Sequence, residues 1–267
     1  MKPRYSFLMA LLIIMGFTNP AFPIEEATHG KAIQADQYLR TVQELIERLD
    51  PRSQPNTLRN TVDILKAANT GLNETVLPLL EAKAEPPTGE LTHAKELGFN
   101  TGLKGATVRE TPFPILEVEL NDLRDFAPSK ESTIPLVFTN QLLFPVEVNN
   151  QVKSSITLRY TPNIPGKTEQ KENKVGWQLA RWGQRNLIQL LTKEEARLVS
   201  QKPTAQSRFL LKIPALNRVF LGYDDKGVIR LIPLVNDHIF TIGESYSAHD
   251  VFKWLSAEAK NMDDSPR

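Results

Sequence analysis

The stretch that decides the fold runs from Ile134 to Leu191 and reads IPLVFTNQLLFPVEVNNQVKSSITLRYTPNIPGKTEQKENKVGWQLARWGQRNLIQLL. Apolar and polar residues alternate on both sides of Asn149-Asn150-Gln151. This pattern predicts a β-hairpin, because asparagine tolerates the left-handed backbone that tight turns need. A polar tip at 161–174 is followed by a predicted strand over Gly176–Trp182 and a helix from about Gln184.

The second half of the chain repeats this plan. When Asn140–Leu158 is placed beside Asn217–Val235, hairpin meets hairpin and turn meets turn, and a helix over Ser247–Lys260 follows. Residue identity between the halves is low, so the repeat is a hypothesis about architecture. It predicts an α+β fold in which two β-hairpin–helix units form one mixed or antiparallel sheet with the helices on one face.

A helical hairpin is expected ahead of the sheet. Its first helix carries Leu39, Val42, Ile46 and Leu49 on one apolar stripe. This stripe is expected to pack on the β-rich remainder or on the neighbouring helices. The alternative is a dimer or partner face, since the spacing also satisfies a short coiled-coil seam. These four residues are therefore the predicted partner face.

The turn signals divide the rest of the N-terminal half. Asn69-Thr70-Gly71 is expected to end the second helix, and Pro78 fits the first turn of a third. Pro86-Pro87 marks a linker by composition. The predicted organisation is a signal peptide over 1–22, the helical hairpin over 23–84, a linker over 85–105 and an α+β domain over 106–267 with internal duplication as a hypothesis.

The N-terminus has the outline of a secretory signal. Lys2 and Arg4 precede an apolar block from Phe7 to Phe17, and Asn19-Pro20-Ala21 follows. The block is shorter than the roughly 20 residues that a bilayer-spanning helix needs. Export to the periplasm or secretion is therefore predicted, with membrane contact only if the signal remains uncleaved.

Composition excludes several classes of function. The chain has no cysteine, which excludes thiol catalysis and thiol redox chemistry. Its formal net charge is +1, so no strong field attracts nucleic acid or an anionic membrane. The sequence contains no phosphate-binding loop, dinucleotide fingerprint, nucleophile elbow or calcium loop.

The histidines give no metal or catalytic signature. None of the four is spaced from another as zinc ligands are, so neither a metal nor a cofactor is predicted. Asp237-His238 and His249-Asp250, with Ser245 or Ser247 nearby, contain the residue types of a catalytic triad. Such a trio occurs by chance in any small domain and needs geometry that a sequence does not supply.

The candidate ligand-binding residues are Trp177, Arg181, Trp182 and Arg185. Strict alternation along the strand puts the two tryptophans on opposite faces, which favours packing over a paired aromatic clamp. The two arginines flank Gly183 at a strand-to-helix junction, where an anion could meet free backbone N–H groups. The alternative is a pair of surface arginines stacked on a tryptophan.

These observations lead to a functional hypothesis. We expect a non-catalytic binding or assembly protein of the cell envelope that contacts a protein partner through its helical face and sheet edges. One alternative is an envelope hydrolase, with a site drawn from Glu117, Arg181, His238 or His249; Glu117 and Glu119 would share the face of a strand over 114–120. The other is a small-ligand carrier with an enclosed cavity between sheet and helices. The oligomeric state is not predicted.

Overall fold

The structure is a computed structural model. It describes residues 24–50, 55–82, 105–127, 135–162, 175–203, 205 and 207–262. The predicted signal peptide and nearly all of the predicted linker lie outside the described residues and stay predictions.

Helices and strands both contribute to the described chain. The α-helices are α1 (Ile24–Leu49), α2 (Thr61–Thr70), α3 (Leu77–Ala82), α4 (Leu120–Arg124), α5 (Arg185–Gln201) and α6 (Ala248–Lys260). Short 3-10 helices cover Pro55–Leu58 and Pro214–Leu216, and a π-helical turn covers Gly71–Val76. The strands are β1 (Thr107–Val108), β2 (Phe113–Glu117), β3 (Val137–Val148), β4 (Gln151–Thr161), β5 (Gly176–Trp182), β6 (Arg208–Ile213), β7 (Arg218–Asp225), β8 (Val228–Pro233) and β9 (Tyr246–Ser247).

The described strands form one sheet in the order β5-β4-β3-β2-β6-β7-β8-β9, with β1 paired to β3. The central pair, β2 and β6, is parallel, while the pairs outward from it are antiparallel. Each half is a meander that starts at the centre, grows outward and ends in a helix. The predicted α+β class and its two hairpin–helix units are therefore confirmed.

The two hairpins also match in backbone conformation. Asn149 and Asn150 have φ of 52° and 60°, and the equivalent Lys226 and Gly227 have φ of 55° and 89°. Positive φ at two successive turn residues is the mark of a type I′ hairpin, whose twist suits the flanking strands. Asn140 and its equivalent Asn217 share a left-handed φ of 54° and 51°. Whether one ancestral unit was duplicated stays a hypothesis.

The prediction that both unit helices lie on one face of the sheet is wrong. Neighbouring strand residues point to opposite faces, so we call the side of Leu211 the front face and the side of Leu210 the back face. Helix α5 packs with Leu210, and α6 packs with Leu211. The two hairpin–helix units are related by a rotation that keeps β2 and β6 parallel and makes the sheet grow in opposite directions. The same rotation exchanges the front and back faces, so the two unit helices lie on opposite faces.

The N-terminal helices cover the half of the front face that α6 does not reach. We call this packing layer the first core. Its helical members are Tyr38, Leu39, Val42, Ile46, Leu58, Ile64, Ala68, Leu72, Val76 and Leu80. Its sheet members are Val108, Phe138, Leu142, Phe144, Val146, Val148, Ile156 and Leu158. The helical hairpin and the sheet therefore share one core.

The predicted partner face is therefore corrected. Leu39, Val42 and Ile46 are each 0% exposed. Leu49 is partly buried against the second front-face cluster, the set of apolar residues around α6 that includes Leu211, Phe220 and Phe252. The apolar stripe is directed at the chain's own sheet because that half of the sheet has no other helix to cover it. Helix α1 ends at Leu49, and the buried carboxylate of Asp50 accepts a hydrogen bond from the Phe138 backbone N–H at 3.2 Å.

The predicted break at Gly71 does not occur. The chain remains helical from α2 through the π-helical turn into α3, and Gly71 has ordinary helical angles. Pro78 explains the wider turn, since a proline lacks an N–H and its ring clashes with the carbonyl four residues earlier. Gly71 also permits a close approach, because a Cβ there would lie 3.2 Å from the Leu179 Cβ on β5.

A second glycine is required by packing in the sheet. Gly222 on β7 lies opposite Phe209 on β6, and a Cβ at residue 222 would lie 2.2 Å from the buried Phe209 ring. We expect Gly222→Ala to destabilise the fold by about 1–3 kcal/mol, the usual cost of an overfilled core. Urea denaturation measures this, with Gly105→Ala as the control for adding a methyl group where no atom lies within 4 Å. Because Gly105 has a φ of 79°, Gly105→Ala lowers the free energy of unfolding through backbone strain alone, without overfilling the core.

Candidate binding site at the edge of the sheet

Strand β5 is the outermost strand at one end of the sheet, and no described strand pairs with its outer side. Its pairing with β4 shifts register. Leu158 lies opposite Leu179 and Thr157 lies opposite Arg181, so Ala180 is an extra residue on β5. This is a β-bulge, which bends an edge strand and turns the following side chains over.

The bulge corrects the prediction for the two tryptophans. Trp177, Leu179 and Trp182 all pack against the first core on the front face. The indole N–H of Trp177 donates to the Thr57 carbonyl oxygen at 3.0 Å, and its ring contacts the Tyr160 ring edge-on at 5.5 Å. Trp177 therefore ties the sheet edge to the N-terminal helices. A role for either tryptophan in ligand binding stays a prediction.

The back face of the same edge carries an open pocket. It is lined by Arg159, Thr161, Gln178, Leu179, Ala180 and Arg181, and has a volume of about 320 Å³. We call it the basic pocket, since both charged residues among its lining are arginines. Arg159 and Arg181 are both exposed. The residues come from β4 and β5, so the pocket lies directly against the open strand edge.

Two buried polar atoms at the basic pocket have no hydrogen-bond partner among the described residues. They are Nε2 of Gln178, which lines the pocket, and Oγ1 of Thr157, a neighbour of the lining residue Arg181. Thr157 pairs with Arg181 across the strands and shares the back face with Leu143, its partner on β3. Leaving a buried donor or acceptor unpaired costs about 1–3 kcal/mol, which makes each such group a candidate for contact with a bound molecule.

A pair of opposite charges lies on the same back face, nearer the centre of the sheet. Lys212 on β6 and Glu117 on β2 are neighbours in the parallel register. Burial lowers the pKa of the Lys212 ammonium, the Glu117 carboxylate opposes that shift, and the Arg181 guanidinium adds to it. The structure thus brings Arg181 within electrostatic reach of Lys212, although three strands, β4, β3 and β2, lie between β5 and β6 in the sheet.

Glu119, by contrast, does not join Glu117. Strand β2 ends at Glu117, and Glu119 is the exposed residue that precedes helix α4. The predicted strand over 114–120 is therefore too long at its C-terminal end, and the pair does not share a strand face. A turn of helix begins at Leu120 because Leu123 enters the second front-face cluster with Phe252.

The predicted strand-to-helix junction is present. Gly183 has a φ of 91°, and its N–H donates to the Ser155 carbonyl oxygen at 2.9 Å. Arg185 is the first residue of α5 and is half-buried, while Arg181 lines the basic pocket. Gln184 precedes the helix without capping it through its side chain. Of the four predicted binding residues, Arg181 alone lines the described pocket.

Most of the residues that could form a catalytic triad make local structural contacts. Asp237 accepts from the backbone N–H groups of Ile239 and Phe240, and its carboxylate lies 2.8 Å from Arg218. Ser247 caps α6 by accepting a hydrogen bond from the Asp250 N–H at 3.1 Å. His249 packs edge-on against Phe126, and His238 is exposed. In the part of the chain that the structure describes, no three metal-ligating side chains gather.

Sequence reasoning missed Arg159, Gln178 and Lys212. The alternation of Arg159 with Leu158 would have placed it on the polar face of β4, but the bulge that brings Arg181 to the same face has no signal in the sequence. Among the described helices, none combines the length and the apolar character needed to cross a membrane. No family model, characterised protein or solved structure matches this chain.

Proposed function

We propose that this chain is an exported, non-catalytic binding or assembly protein of the cell envelope, and that it contacts its partner through the edge of β5. The proposal of export rests on the basic and apolar N-terminal residues of the sequence. The proposal of binding rests on one structural observation: the outer side of β5 is unpaired within the described chain and lies beside an open basic pocket. An unpaired strand edge offers backbone N–H and C=O groups to an incoming strand.

The two ends of the sheet differ in what they offer. At the opposite end, β9 comprises only Tyr246 and Ser247, too short a strand to guide a partner segment. Strand β5 comprises Gly176–Trp182 and is fastened from the front by Trp177 and Leu179. A partner would thus meet a rigid edge at β5. The helical stripe, being buried, does not compete with it.

Position-specific photocrosslinking in the native cell tests this proposal. A benzophenone side chain at Ala180, an exposed residue of the β5 edge, is expected to give a discrete adduct in the envelope fraction. The same group at Val62, which is 74% exposed on α2, is the control and is expected to give none. Recovery of the chain in the cytosol at full mass would refute export, and equal labelling from both positions would refute the β5 contact.

A further inference from the structure

The charges and unpaired groups of the basic pocket indicate what kind of segment would occupy it. Arg159 and Arg181 supply two guanidinium groups, which donate in pairs to carboxylates. Gln178 adds a buried amide nitrogen without a partner among the described residues, and an amide nitrogen is a donor only. A carboxylate has only acceptor atoms, so it complements this set.

The position of the pocket indicates the conformation of that segment. Leu179 and Ala180, two residues of the edge strand, contribute to its lining. A strand added to β5 would run about 4.8 Å from it and would direct alternate side chains to the back face, where the pocket opens. An extended segment with an acidic residue at such a position would place its carboxylate between Arg159 and Arg181.

We propose that β5 and the basic pocket bind an extended acidic peptide segment of a partner protein, whose backbone pairs with β5 and whose Asp or Glu side chain enters between Arg159 and Arg181. This inference rests on the proposed function and specifies the chemistry of the partner. The near-neutral total charge of the chain means that recognition acts at short range, by local groups.

Fluorescence anisotropy on the full-length mature chain tests the inference with three defined peptides. The first alternates valine or threonine with glutamate, the second has glutamine in place of every glutamate, and the third keeps the glutamates but has proline at alternate positions. We expect the first to bind about tenfold or more tightly than either of the others, because one loses the charge and the other loses the strand backbone.

Variants of the protein locate the binding. Arg181→Ser and Arg159→Ser are each expected to weaken binding of the acidic peptide by about tenfold and to leave the glutamine peptide unchanged. Lys253→Ser on α6 removes an exposed positive charge elsewhere and is the matched control. Unfolding curves of each variant should superimpose on the wild-type curve, since both arginines are exposed.

Other results would overturn the inference in distinguishable ways. Equal binding of the acidic and glutamine peptides would show that the pocket does not recognise a carboxylate. Equal binding of the acidic and proline peptides would show that the peptide does not pair with β5 as a strand. If Ala180 gives a specific crosslink while the acidic peptide does not bind, the β5 contact stands and the acidic specificity is wrong; failure of both would reject the proposed function as well.

Discussion

A chain that begins at Thr88 is expected to lose cooperative folding altogether. Such a chain lacks every helical member of the first core and exposes the eight apolar sheet residues that those helices cover. Exposing eight buried apolar side chains costs roughly 12–24 kcal/mol at about 1.5–3 kcal/mol each. The total stability of a domain is only about 5–15 kcal/mol. The truncated sheet therefore has no stable folded state of its own.

Circular dichroism and thermal unfolding measure this outcome. We expect the shortened chain to bind the dye ANS, to elute as aggregates and to show no sharp thermal transition, whereas the full-length mature chain unfolds in one step. A graded version uses Leu39→Ala, which should cost about 2–5 kcal/mol, against Val62→Ala, which should change stability by about 0.5 kcal/mol or less. A sharp transition in the shortened chain would show that the helices and sheet are separate domains.

The local features of this fold are readable from the sequence because their causes are local. Asn149-Asn150 and Lys226-Gly227 both adopt the two successive positive φ angles of a hairpin turn. Ser247 caps α6 three residues ahead of Asp250. In each case the residues that set the conformation are neighbours in the chain, so the pattern predicts the outcome.

The features that the sequence does not reveal depend on distant residues. The apolar stripe of Leu39 and Ile46 would look the same in the sequence whether it packed on a sheet or on a partner protein. It packs on the sheet because α6 leaves half of the front face without another helix to cover it. The bulge at Ala180 arises from pairing with β4 and reverses the facing of Trp182. The basic pocket depends on that bulge, and so could not be predicted residue by residue.

The outer strand β5 and the helical hairpin are linked in this architecture. Gly71 and Thr57, both in the N-terminal helical part, contact Leu179 and Trp177 of β5. These contacts hold the front of the edge strand, while its back carries Arg181 and the open pocket. The helices that the sequence offered as a contact surface thus support β5, whose outer side no described strand pairs with.

Removal of the Glu195 carboxylate is expected to give the second large loss of stability. Glu195 on α5 lies 2.8 Å from Arg109 and 3.0 Å from Arg208, and all three side chains are mostly buried. The Arg109 and Arg208 guanidinium groups lie over the rings of Phe113 and Tyr38. Glu195→Gln would leave two buried positive charges facing one another. Breaking a buried ion network in this way costs about 3–5 kcal/mol.

Tyr38 extends this network to α1 and sharpens the experiment. Burial raises the pKa of its hydroxyl, which therefore stays protonated and donates to the Pro112 carbonyl oxygen at 2.7 Å. Tyr38→Phe removes that hydrogen bond but neither charge nor ring, and should cost only about 0.5–1.5 kcal/mol. The loss in Glu195→Gln would then be assigned to charge, since both variants keep the size of the side chain.

Two further variants decide whether the cost of Glu195→Gln arises from unpaired buried charge. Arg40→Gln breaks an exposed ion pair with Asp36 and should change stability by about 1 kcal/mol or less. Replacing Arg109, Glu195 and Arg208 together by methionine removes the charges but keeps apolar volume, and should restore most of the stability lost in Glu195→Gln. Urea denaturation of these two variants, Glu195→Gln and Tyr38→Phe gives the comparison of their free energies of unfolding. A triple variant no more stable than Glu195→Gln would mean that the network holds α5, β6 and the residue after β1 together by its specific geometry, because charge burial would then not explain the loss.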